Sequence, residues 1–430
     1  MEILDKFFGP PNIEKLEKEG DVSSLVKALH YEGERMEAVQ ASAAQALGRL
    51  GGPRAIEALV GVLTDKDRNV AHTRMGTDRC LIAAEDALAG LGSLAVEPLV
   101  AAYKSGNIMD MEGFVSILAQ IDDQQARDLL VEIMQEENDH TSIKAAFELA
   151  RLKDSRVLEP MIARLEEQDA GGAASALGEL GDSRAAGPLV ALLKRTATDI
   201  NWDSLHRADE ALVKLGEGAV EALLSVIKHD GVGERAADIL GKISDPRAIE
   251  PLAAVALTHM KREHRLYSAQ ALGKWGELGI TPLVAALDHE DSEVRSQGAI
   301  ALGWAGVRDR HATEHLVLAL KDKSEDVRKN AVFALGELGL HGSIGDVDVE
   351  SALITALEDN SWIVRVAAAH ALGKLKSPQA VGPLAHALFD ERVKVREATA
   401  EALNKIGGLE AERALTEYRK LNSNQSGQIV

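Results

Sequence analysis

The stretch Val294-Arg295-Ser296-Gln297-Gly298-Ala299-Ile300-Ala301-Leu302-Gly303-Trp304-Ala305-Gly306 decides the fold. At about 100° per residue, Val294, Gly298, Ala301, Leu302 and Ala305 fall on one side of a helix, and Gly306 stands past its end as a C-terminal breaker. Upstream, Ile280 to Leu287 reads as a shorter first helix, joined to the second by the polar turn Asp288 to Glu293. The closing tripeptide Ala-Leu-Gly, or a close cousin, returns along nearly the whole chain. Its leucines are Leu47, Leu88, Leu118, Leu149, Leu177, Leu212, Leu240, Leu272, Leu302, Leu335, Leu372 and Leu403. A period of about 32 residues marks solenoids, in which each helix pair buries its apolar face only by stacking on its neighbours. The expected fold is all-α, an α-α superhelix of about twelve helix pairs over residues 21–420. Residues 1–20 serve as an N-terminal cap and 421–430, which include Asn-Ser-Asn-Gln-Ser-Gly from Asn422, as a disordered tail.

Other slots keep the same register. Eight positions before the anchor stand Val39, Val232, Val294, Val327, Val364 and Val395, and four before it small residues such as Ala43, Ala145, Ala236 and Ala368 that admit a neighbouring helix closely. Prolines 98, 160, 188, 251, 282 and 383 fall ten or eleven residues after the preceding anchor. A proline is tolerated only near the first turn, so these mark the start or an early bend of the first helix. Cys80 and His264 occupy the valine slot and read as core. Trp275 also reads as core, and Trp202 and Trp362, both ten residues before their anchors, suggest packing at the start of the second helix.

Composition sets the context. Aromatic residues make up 3% of the 430 residues, so the core consists of small and branched aliphatics. The net charge of -20 opposes nucleic acid and anionic membranes, whose affinity comes from clustered lysine and arginine. One cysteine allows no internal disulfide, the N-terminal Met1-Glu2-Ile3-Leu4-Asp5-Lys6 has no signal-peptide character, and no apolar run reaches the length of a membrane span. A cytoplasmic location is expected.

The patterns Asp245-Pro-Arg-Ala-Ile-Glu-Pro-Leu and Val-Arg-x-x-Ala-x-x-Ala-Leu-Gly resemble the HEAT-like repeats of phycobilisome lyases, over roughly residues 21–420. The resemblance implies the superhelix. For function it admits scaffolds, lyase subunits and oxygenases, because fold does not fix activity.

Chemistry is sparse. The di-iron hydroxylases on this kind of fold use His-Glu pairs on several inner helices, whereas here His-Glu occurs once, at His289-Glu290 in a turn. His311 and His315 are one helical turn apart but Ala312 breaks the His-Glu-x-x-His motif, and the acidic insertion Gly339 to Glu350 lacks the spacing of a calcium loop. No glycine-rich phosphate loop or Gly-x-Ser-x-Gly elbow is present, so no catalytic residue, metal or cofactor is assigned.

Three features remain. Arg265, Arg295, Arg328, Arg365 and Arg396 stand seven residues before the last five anchors, with Asp288, Asp322, Asp359 and Asp390 six or seven residues earlier in four of them. Arg295, Arg328, Arg365 and Arg396 read as a structural ladder that bonds the inter-helix turns. The longest insertion, Arg68 to Arg79, offers His72, Arg74 and Arg79 as a candidate anion site. Positions two before and two after each anchor lie opposite the buried side and are mostly polar: Gln45 with Arg49, Glu210 with Lys214, Asp238 with Lys242, Gln270 with Lys274, Glu401 with Lys405. Three of these read as i,i+4 acid-lysine pairs within one helix. Ile300, Trp304 and Phe333 break the rule together and predict a solvent-exposed apolar island for a protein partner. The primary expectation is therefore a non-catalytic protein-binding scaffold using a concave face. The alternative implied by the resemblance is a subunit of a bilin lyase or a chromophore-handling chaperone, and a DNA glycosylase is opposed by the acidic balance.

Overall fold

A computed structural model describes residues 10–32, 35–65, 78–136, 140–167, 170–195, 202–339 and 347–426. Contacts divide the chain into two compact units, residues 1–214 and 215–430. The described residues form helix pairs and contain no β-strand. The second helices of the twelve repeats are α1 (Met36–Leu50), α2 (Arg79–Leu91), α3 (Met111–Gln120), α4 (His140–Arg151), α5 (Gly171–Leu180), α6 (Trp202–Leu215), α7 (Gly233–Ile243), α8 (Arg262–Gly273), α9 (Ser292–Ala305), α10 (Glu325–Gly339), α11 (Trp362–Leu375) and α12 (Val393–Ile406). Each carries one anchor leucine, and all twelve anchors are buried. The α-α superhelix read from the period is the fold.

The first helices start in a way that explains their prolines. In the fifth, sixth, eighth and twelfth repeats a 3-10 turn, such as Pro246–Ala248, opens the helix and is capped by Asp154, Asp182, Asp245 or Ser377. The α-helical part follows at once, with Pro160, Pro188, Pro251 and Pro383 in its third position. There the missing N–H removes no helical hydrogen bond. Pro98 and Pro282 lie within Ser93–Lys104 and Glu277–Ala286. Helix α9 ends one residue beyond Trp304, with Gly306 at φ 69.

Ala-Leu-Gly has a direct mechanical reading. Its leucine fills the core, while its glycine meets the alanine that precedes the next anchor: Gly48 faces Ala87, Gly178 faces Ala211, Gly303 faces Ala334 and Gly373 faces Ala402. A Cβ on any of these glycines would come within 2.6 to 2.8 Å of that alanine. Backbones approach this closely only when one side has no side chain. One junction departs from the rule. Gly273 of α8 sits under Ala305 O, four residues beyond Ala301, so α8 and α9 are slipped by one helical turn.

The arginine ladder is present in the second unit. Arg295 Nε and Nη2 donate to Asp322 at 2.7 and 2.9 Å, Arg328 to Asp359 at 2.7 and 2.9 Å, and Arg365 to Asp390 at 2.7 and 3.0 Å. Each aspartate belongs to the following repeat, and each Nη1 donates to two carbonyls of its own turn, as Arg328 does to Asp322 O and Lys323 O. Arg396 keeps only its own turn, Asp390 O and Glu391 O. Asp288 is not a rung. Its side chain is 75% exposed and lies 3.8 Å from His315, and the position six before Arg295 is held by His289, whose carbonyl accepts from Arg295.

Other expectations also change. The last helix, Leu409–Ser426, extends into the segment read as a disordered tail, so residues 422–426 are helical. Trp202 is 68% exposed, whereas Trp362 lies under Lys394 Nζ at 5.3 Å. Cys80 is buried as read. Within the N-terminal segment, Ile13–Glu19 is a short helix capped by Asn12 and closed by Gly20 at φ 67. No helix among the described residues is long and apolar enough to cross a membrane.

Candidate partner-binding ridge

Within each unit the positions flanking the anchors are mostly charged or polar, but the charges pair differently from the i,i+4 reading. Of the three acid-lysine pairs, Asp238–Lys242 closes within its helix at 2.8 Å. The other close pairs reach back one repeat: Lys214 to Glu179 at 2.9 Å, Lys274 to Asp238 at 2.6 Å and Lys374 to Glu337 at 2.6 Å. Arg49 likewise holds Glu17 of the N-terminal helix. The Lys214 bond keeps the Glu179 carboxyl below its ordinary range. Asp238 is lowered too, burial working against its two lysines and losing. Each such exposed pair adds little by itself. They fasten α5 to α6, α7 to α8 and α10 to α11, and α1 to the N-terminal helix.

Between α8 and α9 and between α9 and α10 no such ion pair of flanking positions occurs among the described residues. Ile300 and Trp304 occupy both flanking positions of α9 and Phe333 the first of α10. The three are half-buried rather than openly exposed. Trp304 is roofed by the Arg262 guanidinium at 5.3 Å from its ring centroid, and Phe333 leans towards Gly303, 3.2 Å from where a Cβ would stand. The one-turn slip between α8 and α9 occurs at the same place. The three side chains, expected to be solvent-exposed, are thus partly covered, and they stand between the Lys274 and Lys374 bridges.

The second unit also holds a histidine cluster. His264 is 1% exposed, with Nδ1 3.0 Å from Glu234 Oε1 and Nε2 3.4 Å from His229 O, and its ring stacks on His259 at 4.1 Å. Gly233, in the arginine slot of its repeat, makes the room: a Cβ there would lie 2.7 Å from the imidazole. Trp275 is half-buried and donates Nε1–H to Gly241 O.

In the first unit, the glycine-rich face of α5 leaves a cavity of about 490 Å³ between α4 and α6, lined by Phe147, Lys144, Gly172, Ser175, Arg207 and Lys214 among others. Its cations are already engaged: Lys144 donates to Glu112 O, Arg207 to Asp203 and Lys214 to Glu179.

Of the candidate anion site, His72 and Arg74 lie outside the described residues, and Arg79 is an exposed first residue of α2. In the second insertion Asp346 is also outside them, while Asp348 caps the helix Val349–Thr355. His311 and His315 meet edge to face at 4.3 Å, and no group of three side chains suited to a metal occurs among the described residues.

With this geometry in place, comparison with known proteins identifies the repeat. The family model described as HEAT repeats matches residues 250–336, 313–404 and 350–425, and that described as PBS lyase HEAT-like repeat matches 39–65, 170–195 and 232–258. The chain is a HEAT-like repeat protein of the PBS lyase type. A curated relative of this HEAT-like protein is the phycocyanobilin lyase subunit alpha of Picosynechococcus sp., 27% identical over 200 residues, which cover 44% of this chain and 66% of that one. Among solved structures, the CpcE–CpcF complex of phycocyanin lyase from Nostoc sp. aligns over 44% of this chain and 99% of that chain at 24% identity and a TM-score of 0.24. Kap121p bound to Ste12p aligns over 95% of this chain and 51% of that one at 13% identity and a TM-score of 0.46.

Proposed function

We propose that this repeat scaffold binds another protein through the ridge of second helices, with Ile300, Trp304 and Phe333 at the centre of the contact. The observation that carries the reading is that Ile300, Trp304 and Phe333 stand at flanking positions of α9 and α10 that elsewhere are mostly charged or polar. A partner would displace the Arg262 roof and cover the Trp304 face, a cation-π contact that an interface can replace. Aromatic residues ringed by neutral or charged neighbours are the usual energetic centre of such contacts. The test is to isolate the native complex and measure its affinity with purified components. Trp304→Ala and Phe333→Ala each weaken binding by tenfold or more while the helical circular dichroism is retained. Unchanged affinity in both variants would refute the assignment.

The second reading is a subunit of a bilin lyase, favoured by the 27% identity to the phycocyanobilin lyase subunit over 200 residues. A chromophore-handling chain takes up phycocyanobilin with a shift of its visible absorption. A bilin spectrum unaltered by stoichiometric protein rejects that role.

A further inference from the structure

A cross-brace is missing between two first helices of the first unit. Nine or ten residues after an anchor, a first helix often carries an acid: Glu57, Glu97, Asp128, Glu159, Glu221 and Glu250. Three residues before that slot, the repeats of Glu159 and Glu250 hold Arg156 and Arg247. Each arginine reaches back to the acid of the preceding first helix, Arg156 Nη1 to Asp128 Oδ1 at 2.7 Å and Arg247 Nη1 to Glu221 Oε1 at 3.6 Å. In the helix Ser93–Lys104 the arginine slot holds Leu94, so Glu57 of the preceding helix, Pro53–Leu63, has no such mate. No ion pair of Glu57 or Glu97 occurs among the described residues, and Leu94 is 68% exposed.

Where the brace is lacking, the two helices part over a groove of about 800 Å³. Glu57, Val60 and Gly61 line one wall, and Leu94, Glu97 and Ala101 the other. The trough is open because small residues stand at its middle: a Cβ built on Gly61 meets nothing within 4 Å. Its walls follow the two helices for about three turns. Among the described residues the lining is apolar apart from a few small polar groups, two exposed acids and no base. An elongated apolar trough with one carboxylate on each wall matches an apolar stripe flanked by cations on both sides, the surface of a basic amphipathic helix.

We infer that this groove docks a basic amphipathic helix of another protein. One lysine or arginine of that helix meets Glu57, in the role that Arg156 and Arg247 play for their acids, and a second meets Glu97. Apolar side chains at i, i+3 or i+4 and i+7 cover Leu94 and Val60 and fill the space over Gly61. A second copy of this chain is disfavoured, because two molecules of net charge -20 repel one another. The groove is built on first helices, so the proposal is independent of the ridge at Trp304.

The test titrates the full chain into a labelled helical peptide of leucine and lysine, about four turns long with one leucine stripe, and follows fluorescence anisotropy. The lysine peptide binds at least tenfold tighter than a sibling with glutamate in place of lysine. Glu57→Gln combined with Glu97→Gln weakens binding at least tenfold. Leu94→Arg, which restores the brace, gives the same loss with helical circular dichroism retained, and the glutamine pair tests the site even where that variant does not fold. Glu397→Gln combined with Glu401→Gln removes the same charge from exposed sites of α12 and shifts the affinity less than twofold. Trp304→Ala leaves it unchanged. The proposal is overturned by a lysine peptide that does not bind, by equal losses in the groove and α12 variants, by equal binding of the glutamate peptide, or by a dimer in sedimentation velocity that Leu94→Arg dissociates.

Discussion

Arg328 grips Asp359 of the following repeat by two parallel bonds, at 2.7 and 2.9 Å, while both side chains are about 85% shielded from solvent. The bond joins two repeats, and Nη1 on Asp322 O and Lys323 O ties the same arginine to its own turn. Removing the arginine leaves a shielded carboxylate and two carbonyls without their donor. Arg328→Ala therefore destabilises the second unit by about 2 to 3 kcal/mol, and Asp359→Ala by a similar amount. A double-mutant cycle in thermal or urea unfolding measures the coupling, and additive losses would show that the pair does not act as a unit.

The rung that fails makes a complementary prediction. Arg265 Nη1 donates to His259 O and Met260 O as its counterparts do, but its Nε is buried without a partner. At the rung position in the next turn stands His289, exposed, whose Nδ1 accepts the Asp291 N–H at 3.0 Å. The remaining ring nitrogen is then a donor and cannot receive an arginine. His289→Asp supplies the missing acceptor and raises stability by about 1 kcal/mol. The gain disappears in an Arg265→Ala background, and a gain that persists there has another origin.

Glycines divide into two groups by what they face. Gly373 is pressed on Ala402, with 2.7 Å between a built Cβ and Ala402 Cα, whereas Gly187 lies in a helix with nothing within 4 Å. Gly373→Ala forces two helices apart and costs about 2 kcal/mol. Gly187→Ala fills open space and stabilises by about 0.5 to 1 kcal/mol through the unfolded chain. Melting temperatures that move in the same direction for both would contradict the seam.

How much of this was legible before the structure depends on whether a feature is set within one repeat or between two. The anchors, the valine slot and the Arg295, Arg328 and Arg365 rungs repeat at fixed offsets, so periodicity exposes them. The partner of Lys274 is Asp238 of the preceding repeat, because stacking brings equivalent positions of adjacent helices as close as one turn. Asp288 reads as a rung because a carboxylate is the expected mate of an arginine, yet turn geometry places the rung six residues before Arg295, at His289, not seven. The half-burial of Trp304 follows from the slip at Gly273 and from Arg262, neither of which leaves a mark in the composition of α9. Trp202 shares its offset with Trp362, but it is exposed, whereas Trp362 lies under a lysine.

Glu85 on α2 gives the protein a pH response of unusual sign. Burial, reinforced by the charges of Asp110 and Asp86 and only partly offset by Lys144, pushes its carboxyl up to about 7, and its Oε1 is buried without a partner. The carboxyl crowds Gly113 of α3, whose N–H is already donated to Asp110. Between its ordinary value near 4.5 and about 7, the folded chain holds a proton that the unfolded chain has released. This group's contribution is thus fully present below about 4.5 and is lost as pH rises through 7. Glu85→Gln keeps the neutral shape at all pH, so it removes that fall and stabilises the first unit above pH 7 by about 1 kcal/mol, a figure reduced for the solvent access of a half-exposed group. The rungs run the other way. Arg295 holds Asp322 below the ordinary carboxylate range, so its contribution is present above pH 4 and lost as acid protonates it. Urea unfolding of wild type and Glu85→Gln from pH 4 to 8 separates the two. Parallel curves across that range would show that Glu85 titrates alike in the folded and unfolded chains.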